Sequence, residues 1–321
     1  MSSTLKFPHW LAVLFCLAAQ PLLAQEAETK IEKDIPCVAR AGVRIEFIKD
    51  GFKGTEGPLG LADGSFIFTE TRDNRITRIA ADGGISSYLE NTNGSNGLGL
   101  TAAGELVSVQ TIAPKVGIIA PHAKAKVLAE QYQGLPFGRP NDLVVGLKAG
   151  IFFTDPGVEQ KAGDPPRATP GVYRIRNDKL ERVIEGIERP NGIQLNPDES
   201  ILYVANTLGE HVLAYDLSSN GKIGARRNFA RLKGWSKGEN GSFSSGADGL
   251  AIDGAGRLYV ASNAGIEIFS AKGEALGVIA LPRKPQNLAF AGADKKTLYI
   301  VGRGAAYRIK LDAAGFAGRA K

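Results

Sequence analysis

Six residues of one chemical kind recur along this 321-residue chain at offsets of 40, 45, 50, 57 and 39: Glu56, Asn96, Asn141, Asn191, Asp248 and Asn287. Each opens an apolar strand, and each carries a side-chain oxygen. Two carboxylates and four amides, with no base among them, form a set of hard donors of the type that Ca²⁺ takes. The chain offers only 3 His and 2 Cys, which argues against the nitrogen-and-sulfur sites zinc prefers. One divalent metal is therefore expected, Ca²⁺ first, with Zn²⁺, Mg²⁺ or Mn²⁺ as alternatives. Turn chemistry competes with this reading, because Asn-Gly and Asp-Gly are common turn dipeptides. The common place of all six residues in a repeat favours a site.

The elements that must position these residues follow from the repeat itself. Its unit is a polar residue, an apolar strand, a turn and a second apolar strand, as in Glu56-Gly-Pro-Leu-Gly-Leu with Ser65-Phe-Ile-Phe-Thr-Glu, or Asp248-Gly-Leu-Ala-Ile with Arg257-Leu-Tyr-Val-Ala-Ser. The spacing is that of one four-stranded propeller blade. Two further strands follow each of the first five pairs, for example Gly171-Val-Tyr-Arg-Ile with Leu180-Glu-Arg-Val-Ile. The sixth repeat has only Ala306-Tyr-Arg-Ile-Lys-Leu311, while Val43-Arg-Ile-Glu-Phe-Ile48 lies unassigned ahead of the first. Pairing these two closes a ring and removes both exposed edges. The expectation is an all-β, six-bladed β-propeller closed by an N-terminal strand, spanning 43–321.

In such a ring the innermost strands line a central channel, so the six opening residues share one mouth. Second-strand ends return to that mouth, which places Glu70, Asp155, Asn206 and Asn263 around the ligands, with Asn287 in the same supporting role. Two long insertions, 158–170 and 234–246, are expected to overhang this face and to carry specificity. Asp248 is the expected general base, able to touch both metal and water.

Composition narrows the rest. Glycine, at 40 residues, is about 12% against a usual 7% and has no collagen period; the excess marks the turns of the repeat, including the Gly after Glu56, Asn96, Asn191 and Asp248. The net charge of +6 is scattered, with no nucleic-acid footprint. Lys6, the apolar run 10–19 and small Ala24 read as a signal peptide over 1–24, too short for a membrane span, with 25–42 as an N-terminal extension. The mature protein is expected to be exported, periplasmic or secreted. Its one remaining cysteine, Cys37, leaves no disulfide framework. Gly234-Trp-Ser236-Lys-Gly238 fits the G-x-S-x-G pattern, yet loop-like residues follow where a nucleophile elbow needs a helix.

Glu56-Gly-Pro, Arg139-Pro-Asn141-Asp142, Phe153-Thr-Asp-Pro156, Arg189-Pro-Asn191-Gly192 and Ala247-Asp248-Gly249 together resemble the regucalcin/gluconolactonase family of calcium-dependent propellers. The resemblance runs from about Glu56 to Leu311. It implies one divalent metal held by Glu56, Asn141, Asn191 and Asp248, and hydrolysis of a sugar-type lactone. It places substrate contacts at Arg139 and Asn141, with ring residue Asn96 as a further candidate. Related members cleave other esters or organophosphates, and a ligand- or partner-binding propeller with a structural metal is the reading from a different class. Bacterial gluconolactonases of this type often carry Cys-Glu-His followed by Arg after the second strand of blade two. Here the stretch reads Val109-Gln110-Thr111, so the resemblance implies a lactonase without implying glucono-lactone as its particular substrate.

Overall fold

A computed structural model describes Met1 and residues 29–238 and 241–319. The proposed signal peptide lies, apart from Met1, outside the described residues. Blade one comprises Thr55–Gly60, Phe66–Glu70, Arg75–Ile79 and Ile85–Glu90, each strand antiparallel to the one before. Blades two to five repeat this plan, with innermost strands at Ser95–Leu100, Leu143–Val145, Pro190–Leu195 and Leu250–Ile252. Blade six takes Asn287–Ala291, Thr297–Gly302 and Ala305–Lys310 from the chain's end and Arg44–Lys49 from its beginning. The ring therefore closes as the strand count requires. Among the described residues the one helical element is a single 3₁₀ turn at His122–Lys124.

Burial falls from the axis outward. The innermost and second strands of blade one are buried throughout, whereas its outermost strand is almost entirely exposed. That gradient explains near-continuous apolar runs at the centre and mixed sequence outside. Tyrosines recurring in the second strands stitch neighbouring blades together: Tyr259 meets Phe290 edge-on at 5.1 Å, and Tyr299 stacks on Phe66 at 4.5 Å. The segment 29–42 is part of this packed body. Thr29–Lys30 adds a fifth strand to blade six, and Ile31, Ile35, Val38 and Ala39 are buried against blades five and six. Cys37 is a free, exposed thiol.

The glycines that follow the ring residues do a different job from the turn role expected of them. Gly57, Gly97 and Gly192 lie within innermost strands and Gly249 just before one. A Cβ on Gly57 would sit 1.9 Å from the Asn96 carbonyl oxygen, and one on Gly192 2.1 Å from that of Asp248. The constraint is crowding at the axis, where each innermost strand meets the next. Gly57 additionally holds φ +51, which an L side chain rarely adopts. Gly57→Ala is expected to lower stability by about 3 kcal/mol through overpacking and strain, to be read from urea unfolding.

The opposite end of the channel is crossed by the C-terminal segment. Gly315 bridges Asp253, the Phe316 N–H donates to the Ile252 carbonyl, and the buried Arg319 guanidinium donates to the Leu195 carbonyl at 2.5 Å. Burial pushes the Arg319 guanidinium down to about 10, with Glu199 at 3.7 Å opposing the shift.

Candidate functional site

The six opening residues meet at the other end. Glu56, Asn96 and Asn191 are each second in an innermost strand, Asn287 is first, and Asn141 and Asp248 immediately precede theirs by two residues. Glu56, Asn96 and Asn287 are buried, and Asn141, Asn191 and Asp248 half-buried. Hydrogen bonds pass from blade to blade around the axis. The Gly97 N–H donates to the Asn141 carbonyl at 2.9 Å, and the Gly249 N–H to that of Gln286 at 2.8 Å. Threonines close to the second-strand ends add a second set: Thr69, Thr154 and Thr207 donate to the carbonyls of Asn96, Asn191 and Ala247 at 3.1, 2.7 and 2.8 Å. Each of the first five blades thus fixes the backbone that carries the next blade's ring residue.

Several ring side chains have oxygen to spare. The Oδ1 atoms of Asn96, Asn191 and Asp248 are buried without a hydrogen-bond partner among the described residues. Such orphaned acceptors are uncommon in native proteins, and three at one mouth fit a bound cation. No group of three or more His, Cys, Asp or Glu side chains suited to a metal occurs among the described residues. A cation here must therefore draw on asparagine oxygens. Glu56 is held differently, its carboxylate accepting from Gln286 Nε2 and Asn287 Nδ2 at 3.2 Å each. Asn287 thus supports Glu56 directly. Asn191 is oriented through Nδ2, which donates to Thr207 Oγ1 at 3.0 Å.

Asp248 is a strongly perturbed acid. Burial lifts its carboxyl well above the ordinary 3.8, the negative charges of Glu56 and Asp142 lift it further, and Arg303 and Lys284 oppose them. Asp142 is a third acid that the repeat did not single out. It is 2% exposed, and its Oδ1 accepts the N–H of Leu143 at 2.9 Å. Blade three's short innermost strand begins only at Leu143, so two consecutive polar residues precede it. The pair Asn141-Asp142 was the available signal.

The residues expected to surround the ligands act one step further out. Asp155, fully buried, accepts the N–H groups of Gly138, Arg139 and Gly157 at 2.7, 2.8 and 2.8 Å. Burial raises its carboxyl and those three bonds lower it, with the net shift upward. Glu70 accepts the Lys53 N–H at 3.0 Å, Asn206 that of Arg189 at 3.2 Å, and Asn263 Nδ2 donates to the carbonyls of Gly234 and Ser244. Each therefore grips the connection leading into its own blade's innermost strand, and so sets the ring residue through the backbone. Asp155→Ala would orphan three N–H groups, and a loss of about 3 kcal/mol is expected, measurable by urea unfolding.

Arg139 is exposed beside this clamp, two residues before Asn141. Of the two insertions, 158–170 has no regular structure, while 234–246 contains the hairpin Ser236–Lys237 with Phe243–Ser244. Its Trp235 and Phe243 rings stack at 5.5 Å. Sequence reading missed the hairpin Gln131–Tyr132 with Leu135–Pro136. Ser236 lies in a short strand and donates to the Gly234 carbonyl, which is no nucleophile elbow.

Known proteins share this architecture. A gluconolactonase from Zymomonas mobilis is 29% identical over 298 residues, covering 85% of this chain and 82% of that protein. The structure of a gluconolactonase from Xanthomonas campestris superposes with a TM-score of 0.74 at 26% identity, covering 90% of this chain and 99% of the other. Regucalcin from Agrobacterium tumefaciens, a calcium-binding protein, has the same fold, with a TM-score of 0.67 at 16% identity over 84% of this chain and 95% of its own. The SMP-30/gluconolactonase/LRE-like region matches residues 54–303, most of the described propeller, and the chain belongs to that family.

Proposed function

We propose that the chain is a divalent-metal-dependent hydrolase of a sugar-type lactone, Ca²⁺ being the favoured ion. The observation that carries this reading is the set of buried Oδ1 atoms on Asn96, Asn191 and Asp248 at one channel mouth, unpartnered among the described residues. Glu56, Asn141, Asn191 and Asp248 would hold the ion, and Asn96 and Arg139 would contact substrate. A divalent cation bound there supplies Lewis-acid polarisation of the lactone carbonyl.

The chain's own residues supply the remainder. Asp248 takes a proton from the attacking water as its oxygen bonds to the carbonyl carbon. The ring C–O bond then breaks, the leaving oxygen takes up a proton, and a hydroxy acid results. Asn96 and Arg139 orient the substrate, while Asp155 fixes the backbone of Arg139 and Asn287 fixes Glu56. Relatives named gluconolactonase support the reaction class. The leader-like residues 1–24 support export of the mature protein, which cell fractionation tests.

The decisive experiment is a panel of lactones, carboxylic esters and phosphotriesters, assayed with and without chelator. Chelator-sensitive lactone hydrolysis is expected. Hydrolysis of none of them with any divalent ion would replace this reading with a non-catalytic binding propeller.

A further inference from the structure

Charge at the mouth is not evenly distributed. Glu56, Asp142 and Asp248 form its acidic side, and the positive charges of Lys284 and Arg303 act on Asp248 from across the mouth. The two cations sit on adjoining passes of blade six. A Cβ on Gly302 would lie 2.5 Å from the Lys284 carbonyl oxygen, and the Arg303 N–H donates to Gln286 Oε1 at 2.8 Å. Gln286 in turn donates to Glu56, which ties this corner to the ring. Lys284 Nζ reaches over Gly246, two residues before Asp248. It lies 3.0 Å from where a Cβ on that glycine would stand, on the side of the Asn263 amide.

Several cations among the described residues are engaged with acids, such as Arg75 with Glu70, Arg257 with Asp253, and Arg308 with Glu46. Neither Lys284 nor Arg303 makes a side-chain hydrogen bond or a salt bridge among the described residues. Both residues are exposed, so their like charges are open to an anionic ligand. A divalent ion in the ring would cancel two of the three carboxylate charges. Lys284 and Arg303 would then outweigh the third.

We infer that Lys284 and Arg303 form an anion subsite beside the ring, and that the preferred substrate is a lactone bearing a free carboxylate away from its reacting carbonyl. This rests on the lactonase reading and narrows its substrate class. Neutral sugar lactones would occupy the ring without filling the subsite.

The test compares glucono-lactone with glucaro-lactone, in which a carboxylate replaces the terminal hydroxymethyl group, in the metal-loaded full chain. The charged lactone is expected to have a kcat/KM about tenfold higher, chiefly through KM, with the preference shrinking as ionic strength rises. Lys284→Gln and Arg303→Gln should each reduce the charged-to-neutral ratio of kcat/KM several-fold, and Lys284→Arg should retain it. Thermal melts of each variant check folding. Equal kcat/KM for the two lactones, or a ratio unmoved in both Gln variants, overturns the subsite. Hydrolysis of neither lactone would count against the lactonase reading alone. Calorimetric titration of the same pair against the same variants then decides the subsite by its charge preference.

Discussion

Asp248→Asn is expected to lower lactone turnover by about 10²–10⁴-fold, the range a general base contributes, while leaving the fold intact. The substitution keeps an oxygen at a ligand position while removing the proton acceptor and its negative charge, so both metal affinity and kcat should fall, kcat by more. Stability provides an independent reading. In chelator, the wild-type carboxyl titrates higher in the folded chain than its ordinary 3.8, so the folded state binds the proton more tightly. Its contribution to stability is then fully present below 3.8 and is lost as pH rises toward the folded value. Asn cannot titrate, so in chelator at neutral pH the variant should melt no lower than wild type. A turnover within tenfold of wild type would remove Asp248 from the role of base.

Metal removal is expected to have the second large effect. Exhaustive chelation should abolish hydrolysis, and Ca²⁺ should restore it. With free Ca²⁺ at a hundredfold its Kd, mass action adds about 2.7 kcal/mol of stability. For a domain of this size that is a rise in Tm of about 5 °C. The physical reason lies in the ring: without a cation, Glu56, Asp142 and Asp248 repel one another, and the buried Oδ1 atoms of Asn96, Asn191 and Asp248 have no hydrogen-bond donor among the described residues. Calorimetric titration of the chelated protein with Ca²⁺, followed by melts, measures both quantities. Full activity after complete metal removal would be incompatible with the proposed function.

Strand count and repeat are one-dimensional properties, so the architecture could be read before any contact was known. A sixth repeat one strand short, with Val43–Ile48 left over at the other end, admits ring closure, and Arg44–Lys49 pairs with Ala305–Lys310 accordingly. The ring residues were legible for the same reason, since equivalent positions in a repeat must fall at equivalent heights on the axis.

What each polar residue touches was decided only in three dimensions. Asp155, Asn206 and Asn263 return to the right mouth, but their hydrogen bonds go to the connections leading into their own blades, because backbone N–H and C=O groups there need partners before a ligand does. Glycines 57, 97, 192 and 249 look like turn residues in one dimension, yet they answer to crowding between innermost strands contributed by neighbouring blades. Asp142 and Lys284 lie next to or near ring residues in sequence, while their charges meet Asp248 from blades three and six. No local pattern records that meeting, because electrostatic neighbours are set by closure of the ring.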